Sequence, residues 1–295
     1  MNFSDSQVAL FEEQRSLLTG VAYRMLGSVS DAEDMVQEAW LRWSRAEAVE
    51  SPRSWLLTVV SRLCLDRLKS ARVQREQYYG TWLPEPLVEK PISPSAQVDE
   101  SVSIALLMVL EKLSPEERAG FLLHEVFGHT YEEIAKILDK PAVNCRKLVS
   151  RARERVRAEK PRFATTTQEH EELLTRFLAA CRVGEMDPLM DLLSEGAALH
   201  SDGGGKVAAL REVLTGREAV ARFFLGITKT PEGGAAMREA KFTSFNGAPG
   251  VLLFAAGHPV SAISLEIREG KIAAIFAHRN PDKLRVFETG PTGEN

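Results

Sequence analysis

The chain has 295 residues, 44% hydrophobic and 26% charged, with a formal net charge of −4, enough for two or three domains with cores of their own. No apolar run reaches the roughly 18 residues of a membrane span, and the opening MNFSDSQVALFEEQ lacks the basic and apolar stretches of a secretory leader, so the expectation is a cytoplasmic chain without a membrane partner. Cys64, Cys145 and Cys181 are far apart and show neither C-x-x-C nor Cys/His zinc spacing, which predicts reduced, buried thiols, no metal and no cofactor.

From about residue 8 to 79 the chain reads as helices. SDAEDMVQEAWLRW opens with Ser30 and Glu33, spaced as a capping box. SPRSWLLTVVSRLCLDRLKSARVQRE opens with Ser51 as N-cap and Pro52 at the first helical position. On this second helix Trp55, Leu56, Val59, Val60, Leu63 and Cys64 share one side. Arg62, Lys69 and Arg72 line the opposite flank. The stretch GTWLPEPLVEKPISPSAQVDE, residues 80–100, carries four prolines and no helical period. It reads as a stiffened linker, yet Trp82 and Leu83 lie inside it, and a plain spacer needs no tryptophan.

Residues 101–161 form a second helical block with clear punctuation. Ser114-Pro115-Glu116-Glu117 and Thr130-Tyr131-Glu132-Glu133 are helix starts. Asp139-Lys140-Pro141 ends one short helix and opens the next, the form of a helix-turn-helix. From Thr165 on, QEHEELLTRFLAACRVGEMDPLMDLLSEG reads as two helices, AALHSDGGGKVAAL as two short strands around a glycine turn, and TGREAVARFFLGIT as a helix. REAKFTSFNG, GVLLFAAG, VSAISLEIREG and KIAAIFAHR read as strands. The expected organisation is a helical domain at 1–79, the linker at 80–100, a helix-turn-helix domain at 101–161, and an α+β domain with a curved antiparallel sheet at 165–295.

Charge is uneven along this chain. Residues 28–50 hold six acids and two bases, whereas residues 140–162 hold nine bases against Glu154 and Glu159. One surface suits a basic partner and the other a polyanion. On the basic helix Cys145, Leu148, Val149, Ala152 and Val156 fall in one arc of about 100°, the width of a core-facing stripe. Asn144, Arg146, Lys147, Ser150, Arg151, Arg153 and Arg157 occupy the rest. A recognition helix needs this division, one face docked and the other in the major groove. Asn144, Arg146 and Lys147, near its N-terminus, are candidates for base readout, the later Arg151 and Arg153 for phosphate, and Ser150 is a further DNA-binding candidate.

GSVSDAEDMVQEAWLRW followed by SPRSWLLTVVSRLCLDRLKSARVQRE resembles region 2 of the extracytoplasmic-function sigma factors, and residues 101–157, ending in SRAR, resemble their region 4. WLPEP (82–86), DGGGK (202–206) and NPDKL (280–284) resemble the three signature segments of the SigJ-type subgroup, which carries a C-terminal SnoaL-like, NTF2-like domain. The resemblance implies two all-α sigma modules and an α+β cone, in a subunit that directs core RNA polymerase to promoters. It implies that Asp31, Asp34, Gln37, Glu38 and Trp40 grip the polymerase clamp helices, with the flap as a further contact. It further implies that the helix from Ser51, with the loop from Trp43 before it, reads the minus-ten element. Arg62, Lys69 and Arg72 would be its cations. The helix from Pro141 would read the minus-thirty-five element. The fused domain would act in cis, through Trp82, Leu83 and Pro84, through Asp202, Gly203, Gly204, Gly205 and Lys206, and through Asn280, Pro281, Asp282, Lys283 and Leu284.

Other readings stand beside this one. The cone also hosts isomerases, cyclases and hydrolases of small apolar molecules, so a small apolar ligand stays open as a partner. His200, Asp202, His258 and His278 are the titratable residues near strand ends, but no spacing marks a base. Asp202–Lys206 lacks the spacing of a phosphate loop and reads as a hairpin turn. Asn280-Pro281 reads as a helix start. The docking expectation is that Trp82-Leu83 lies against both segments. A ligand-responsive helix-turn-helix regulator and a small-molecule enzyme are the alternatives in other classes.

Overall fold

The structure, a computed structural model, describes residues 5–46, 49–76, 78–88, 102–159 and 165–288. The chain divides into two compact units, Met1–Glu76 with Leu107–Lys160, and Gln77–Leu106 with Pro161–Asn295. The segment joining the two helical blocks thus belongs to the C-terminal unit.

In the first unit α1 (Asp5–Leu26), α2 (Val29–Trp43) and α3 (Pro52–Glu76) pack on one another. Ala32, Val36, Ala39 and Trp43 form the buried stripe of α2, and the Trp43 indole donates to the Gln7 carbonyl at 3.0 Å. The helix start differs from the expected capping box at Ser30 and Glu33. Gly27, at φ 66°, ends α1 in the left-handed region, so the next residue is already placed to cap. Ser28 is therefore the N-cap and accepts from the Asp31 N–H at 3.1 Å, and the Ser30 hydroxyl lies 3.1 Å from the Ser28 hydroxyl.

The helix-turn-helix follows α4 (Ile104–Glu111). It comprises α5 (Pro115–Phe121), which widens into a π turn at Leu122–Val126, then α6 (Tyr131–Leu138) and α7 (Ala142–Glu159). Ser114 with Glu117 and Thr130 with Glu133 form complete capping boxes. Asp139, at φ 52°, closes α6. Cys145, Val149, Ala152 and Val156 bury one face of α7, against α5 and α6.

The second unit holds α8 (Thr167–Val183), α9 (Met186–Leu192), β1 (Leu193–Asp202), β2 (Leu214–Thr215), α10 (Arg217–Thr228), α11 (Pro231–Arg238), β3 (Lys241–Phe245), β4 (Ala248–Ala255), β5 (His258–Arg268), β6 (Lys271–His278) and α12 (Pro281–Leu284). The sheet order is β2-β1-β6-β5-β4-β3. Pairing is antiparallel except between β1 and β6, which run parallel, so the sheet is mixed. Register shifts in β1, β4 and β5 bend it. Only the first of the two strands expected around the glycine turn forms. The KVAAL stretch after it is not a strand, and β1 pairs instead with Leu214–Thr215. The helix α11 was not expected, because Gly233 and Gly234 weaken its pattern, although Thr230 caps it and Pro231 opens it.

Strand alternation gives this sheet two distinct faces. Leu199, Val251, Leu253, Ile263, Leu265, Ile275 and Ala277 meet α8 to α11 in one apolar core. The opposite face carries Phe245, Leu252 and Ala262 under Leu284 and Phe287. It also carries Asp202, which stands in register with His278, and His278 in register with Ala262.

Candidate nucleic-acid interface and linker clasp

On α2 the five residues expected to meet polymerase separate by environment. Asp34 and Gln37 are exposed. Glu38 pairs with Arg42 at 2.9 Å. Asp31 is taken up internally, accepting from Arg67 at 2.6 and 3.1 Å, and half-buried Trp40 packs edge-on against Phe11 at 5.0 Å. Leu41, passed over in the sequence reading, is an exposed large apolar residue on the same helix.

The expected minus-ten cations also differ. Lys69 lies 3.6 Å from Asp66. The Arg72 side chain and residues 47–48 of the loop lie outside the described residues. Arg62 reaches the helix-turn-helix, donating to the Ile137 and Lys136 carbonyls at 3.1 and 2.6 Å. It caps the negative end of α6. Arg118, buried, makes the reverse contact with the Arg24 carbonyl near the end of α1, at 3.2 and 3.3 Å. The two helical blocks of this unit are thus joined by two guanidinium-to-helix-end contacts.

On α7 the cations sort into held and unheld. Arg153 is held by Glu125 and Arg155 by Glu117 at 2.8 Å, and just before the helix Lys140 is held by Glu116 at 3.2 Å. Burial opposes it, but hydrogen bonds from Ser114 and the Arg155 charge keep the Glu117 carboxyl below the usual range. Arg146 lies over the Tyr131 ring at 5.2 Å and 3.9 Å from Glu132. Asn144, Lys147, Ser150 and Arg151 are exposed, and among the described residues Lys147 and Arg151 have no acidic partner within ion-pair distance. Val143, not singled out from sequence, is 62% exposed. At 100° per residue it points, with Lys147, away from the buried stripe.

The signature segments of the second unit meet at one carboxylate. Asp202 is 0% exposed. Its Oδ1 accepts from the Tyr78 hydroxyl at 2.6 Å and the Gly204 N–H at 3.0 Å. Its Oδ2 accepts from the Leu83 N–H at 3.0 Å and Lys283 Nζ at 2.7 Å. Lys283 also donates to the Leu83 carbonyl and lies 4.5 Å over the Trp82 ring. Leu83 and Pro84 are buried, and His278 Nε2 donates to the Pro84 carbonyl at 2.9 Å. Burial, with the Lys283 charge, pushes His278 down to about 4. Burial pushes the Tyr78 phenol up, and its bond to Asp202 adds to this.

The glycine turn fits around this node. Gly204 has φ 63°, and a Cβ there would meet the Asn280 side chain at 2.4 Å. Gly203 would meet the Val207 carbonyl at 2.5 Å, and Gly205 packs beside Tyr79. Lys206 pairs with Asp282. Asn280 caps α12, whose first residue is Pro281, accepting from the Asp282 N–H while donating to the Tyr78 hydroxyl at 3.0 Å. Leu284 is buried in the outer-face cluster. Tyr78 is the member sequence reading missed, since it lies outside all three quoted segments.

The candidate acid–base residues do not gather inside the cone. Asp202 and His278 lie on the face opposite the helices and are engaged by the 78–88 segment. His200 stacks on Phe276 at 5.2 Å, and exposed His258 lies 3.8 Å from Glu288. Cys64, Cys145 and Cys181 are all buried, and burial raises each thiol, Cys181 to about 12. Among the described residues no helix is long and apolar enough to cross a membrane.

Two helical modules, a charged recognition helix and a fused α+β unit define a promoter-recognition class, and the comparisons agree. Sigma-70 region 2 matches residues 10–73 and Sigma-70, region 4 matches residues 103–156. The chain belongs to the extracytoplasmic-function RNA polymerase sigma factors. It is 38% identical to the ECF RNA polymerase sigma factor SigJ of Mycobacterium tuberculosis, covering 97% of both chains. It is 34% identical to the probable ECF RNA polymerase sigma factor SigI of that species, covering 96% of this chain and 97% of the relative. The crystal structure of M. tuberculosis SigJ superposes with a TM-score of 0.77 at 35% identity, over 94% of this chain and 98% of that one. The likeness takes in the C-terminal α+β part of the chain as well as its helical part.

Proposed function

We propose that this sigma factor works on core RNA polymerase and promoter DNA in the cytoplasm, and that its C-terminal domain controls it by holding the linker. Asp34, Gln37 and Leu41 form the α2 face offered to the clamp helices. The α7 face with Val143, Asn144, Lys147, Ser150 and Arg151 enters the major groove of the upstream element, with Arg146 beside it. Lys147 and Arg151 supply phosphate contacts. Arg62 exchanges the α6 carbonyls for DNA backbone when the minus-ten strand is engaged.

The observation that carries the regulatory part is the Asp202 node. Four donors, two of them from residues 78–83, converge on one buried carboxylate. A buried charge with this partner set is costly to leave half-satisfied, so the node favours one attachment of the linker. That linker is the covalent path between the two promoter-binding modules. A small apolar ligand between α8–α11 and the sheet would act by shifting this attachment.

The test is run-off transcription with purified core polymerase. The full chain gives a promoter-dependent transcript and co-purifies with core. Asp34→Lys weakens co-purification at least tenfold while the melting temperature is kept. Failure of the unsubstituted chain to bind core, or unchanged binding by the variant, would contradict the respective assignments.

A further inference from the structure

Asn246 closes the linker on itself. It occupies the two-residue β3–β4 hairpin turn with Gly247, at φ 53° and 68°, the Asn-Gly pair that such turns favour. The turn explains the residue's backbone but asks nothing of its side chain. That side chain belongs to a residue only 1% exposed. Its Oδ1 accepts from the Leu87 N–H at 2.9 Å, and its Nδ2 donates to the Val102 carbonyl at 2.8 Å. The Asn246 backbone N–H donates to the Leu87 carbonyl at 2.8 Å, and Val88 bridges antiparallel to Phe245. One carboxamide therefore holds two points of the linker that are far apart in sequence. Asparagine suits both tasks, because it tolerates the left-handed backbone and offers acceptor and donor on one short group.

We infer that Asn246 sets the working length of the tether between the two DNA-binding modules, and so the promoter spacer length the chain accepts. This rests on the reading of those modules as readers of two promoter elements. α3 ends at Glu76 and α4 begins at Ile104. With the clip closed, the path between them passes directly from Leu87 to Val102, and residues 88–101 add nothing to the span. At about 3.3–3.6 Å per extended residue, that removes on the order of 50 Å of reach. Duplex rises about 3.4 Å per base pair, so the clip decides between a tether that limits spacing and one that does not.

The experiment is run-off transcription by holoenzyme on a promoter series whose spacer is shortened or lengthened by one and two base pairs. Asn246→Gly keeps the left-handed backbone and deletes the carboxamide. Asn246→Asp keeps the acceptor for Leu87 and loses the donor to Val102. The unsubstituted chain should lose about tenfold at two base pairs from its optimum, and both variants should flatten to about threefold or less, because a longer tether varies effective concentration weakly. Deleting residues 91–98 gives a measurement that needs no substitution at Asn246. The deletion should leave the optimum of the unsubstituted chain in place and narrow the profile of Asn246→Gly. Variants with the unsubstituted profile, or a deletion that moves its optimum, would overturn the inference. Absence of any promoter-dependent transcript from the unsubstituted chain would sink the sigma reading itself, and this inference with it.

Discussion

Asp202 shows how much one side chain organises here. Asp202→Ala would leave the Lys283 ammonium, the Tyr78 hydroxyl and the Leu83 and Gly204 N–H groups without their acceptor. Removing one partner of a buried ion pair costs about 3–5 kcal/mol. Denaturant unfolding of the full chain should register that loss in the C-terminal unit. Asp202→Ala with Lys283→Met should recover part of it, because no lone buried charge remains. A double variant as unstable as the single one would contradict this account of the pair.

Two buried histidines give the same unit a pH dependence of known sign. Burial holds His170 and His278 at about 4, below the ordinary value of about 6.5. The unfolded chain therefore takes up protons that the folded chain refuses. Stability is fully present above about pH 6.5 and falls as pH drops toward 4, by about 3 kcal/mol for each histidine. Melting temperatures at pH 7 and pH 5 test this. His170→Leu should shrink the drop relative to the unsubstituted chain, and an equal drop would contradict it. Among the described residues His170 Nε2 has no hydrogen-bond partner, so leucine sacrifices no bond to them there.

At the scale of elements, α7 is the best-defined functional part. Cys145, Val149, Ala152 and Val156 fix its rotation, and the ion pairs of Arg153 and Arg155 with Glu125 and Glu117 fix its seat. Lys147 and Arg151, both exposed, are the phosphate contacts proposed above. Lys147→Ala with Arg151→Ala should lower the slope of log affinity against log salt by about 2, one unit per lost phosphate contact. Titrating an upstream-element duplex at several salt concentrations measures it. An unchanged slope would place both residues off the phosphate track.

Elements were legible in sequence where their signals are local. The Ser114, Thr130 and Asn280 caps and the apolar arc of α7 need only neighbouring residues. The cap at Ser28 was displaced to Ser30 because both spacings are plausible and only the left-handed Gly27 decides. The helix α11 hid behind two glycines. The parallel β1–β6 pairing and the carboxamide bonds of Asn246 to Leu87 and Val102 join residues far apart in the chain, and periodicity carries no information about such partners. Arg62 was legible as an outward cation, but its seat on the α6 carbonyls was not.

At the scale of the whole molecule, the chain divides into two compact units, and the linker goes with the second. The helices of the two sigma regions fold as one unit, while the segment that joins them folds with the C-terminal α+β part. The control in cis proposed above would require no separate binding event. On that proposal, a change in how tightly residues 78–88 and 102 are held passes along the backbone to both modules, and a tethered contact stays populated even when weak, at an effective concentration of about millimolar.

The most direct measurement is quantitative run-off transcription with core polymerase, comparing the unsubstituted chain with Tyr78→Phe and Trp82→Ala combined. These changes remove the hydroxyl bonds to Asp202 and Asn280 and the ring over Lys283, and touch neither α2 nor α7. The account predicts a transcript yield changed by about threefold or more at unchanged affinity for core polymerase. Identical yields across the promoter series would contradict it.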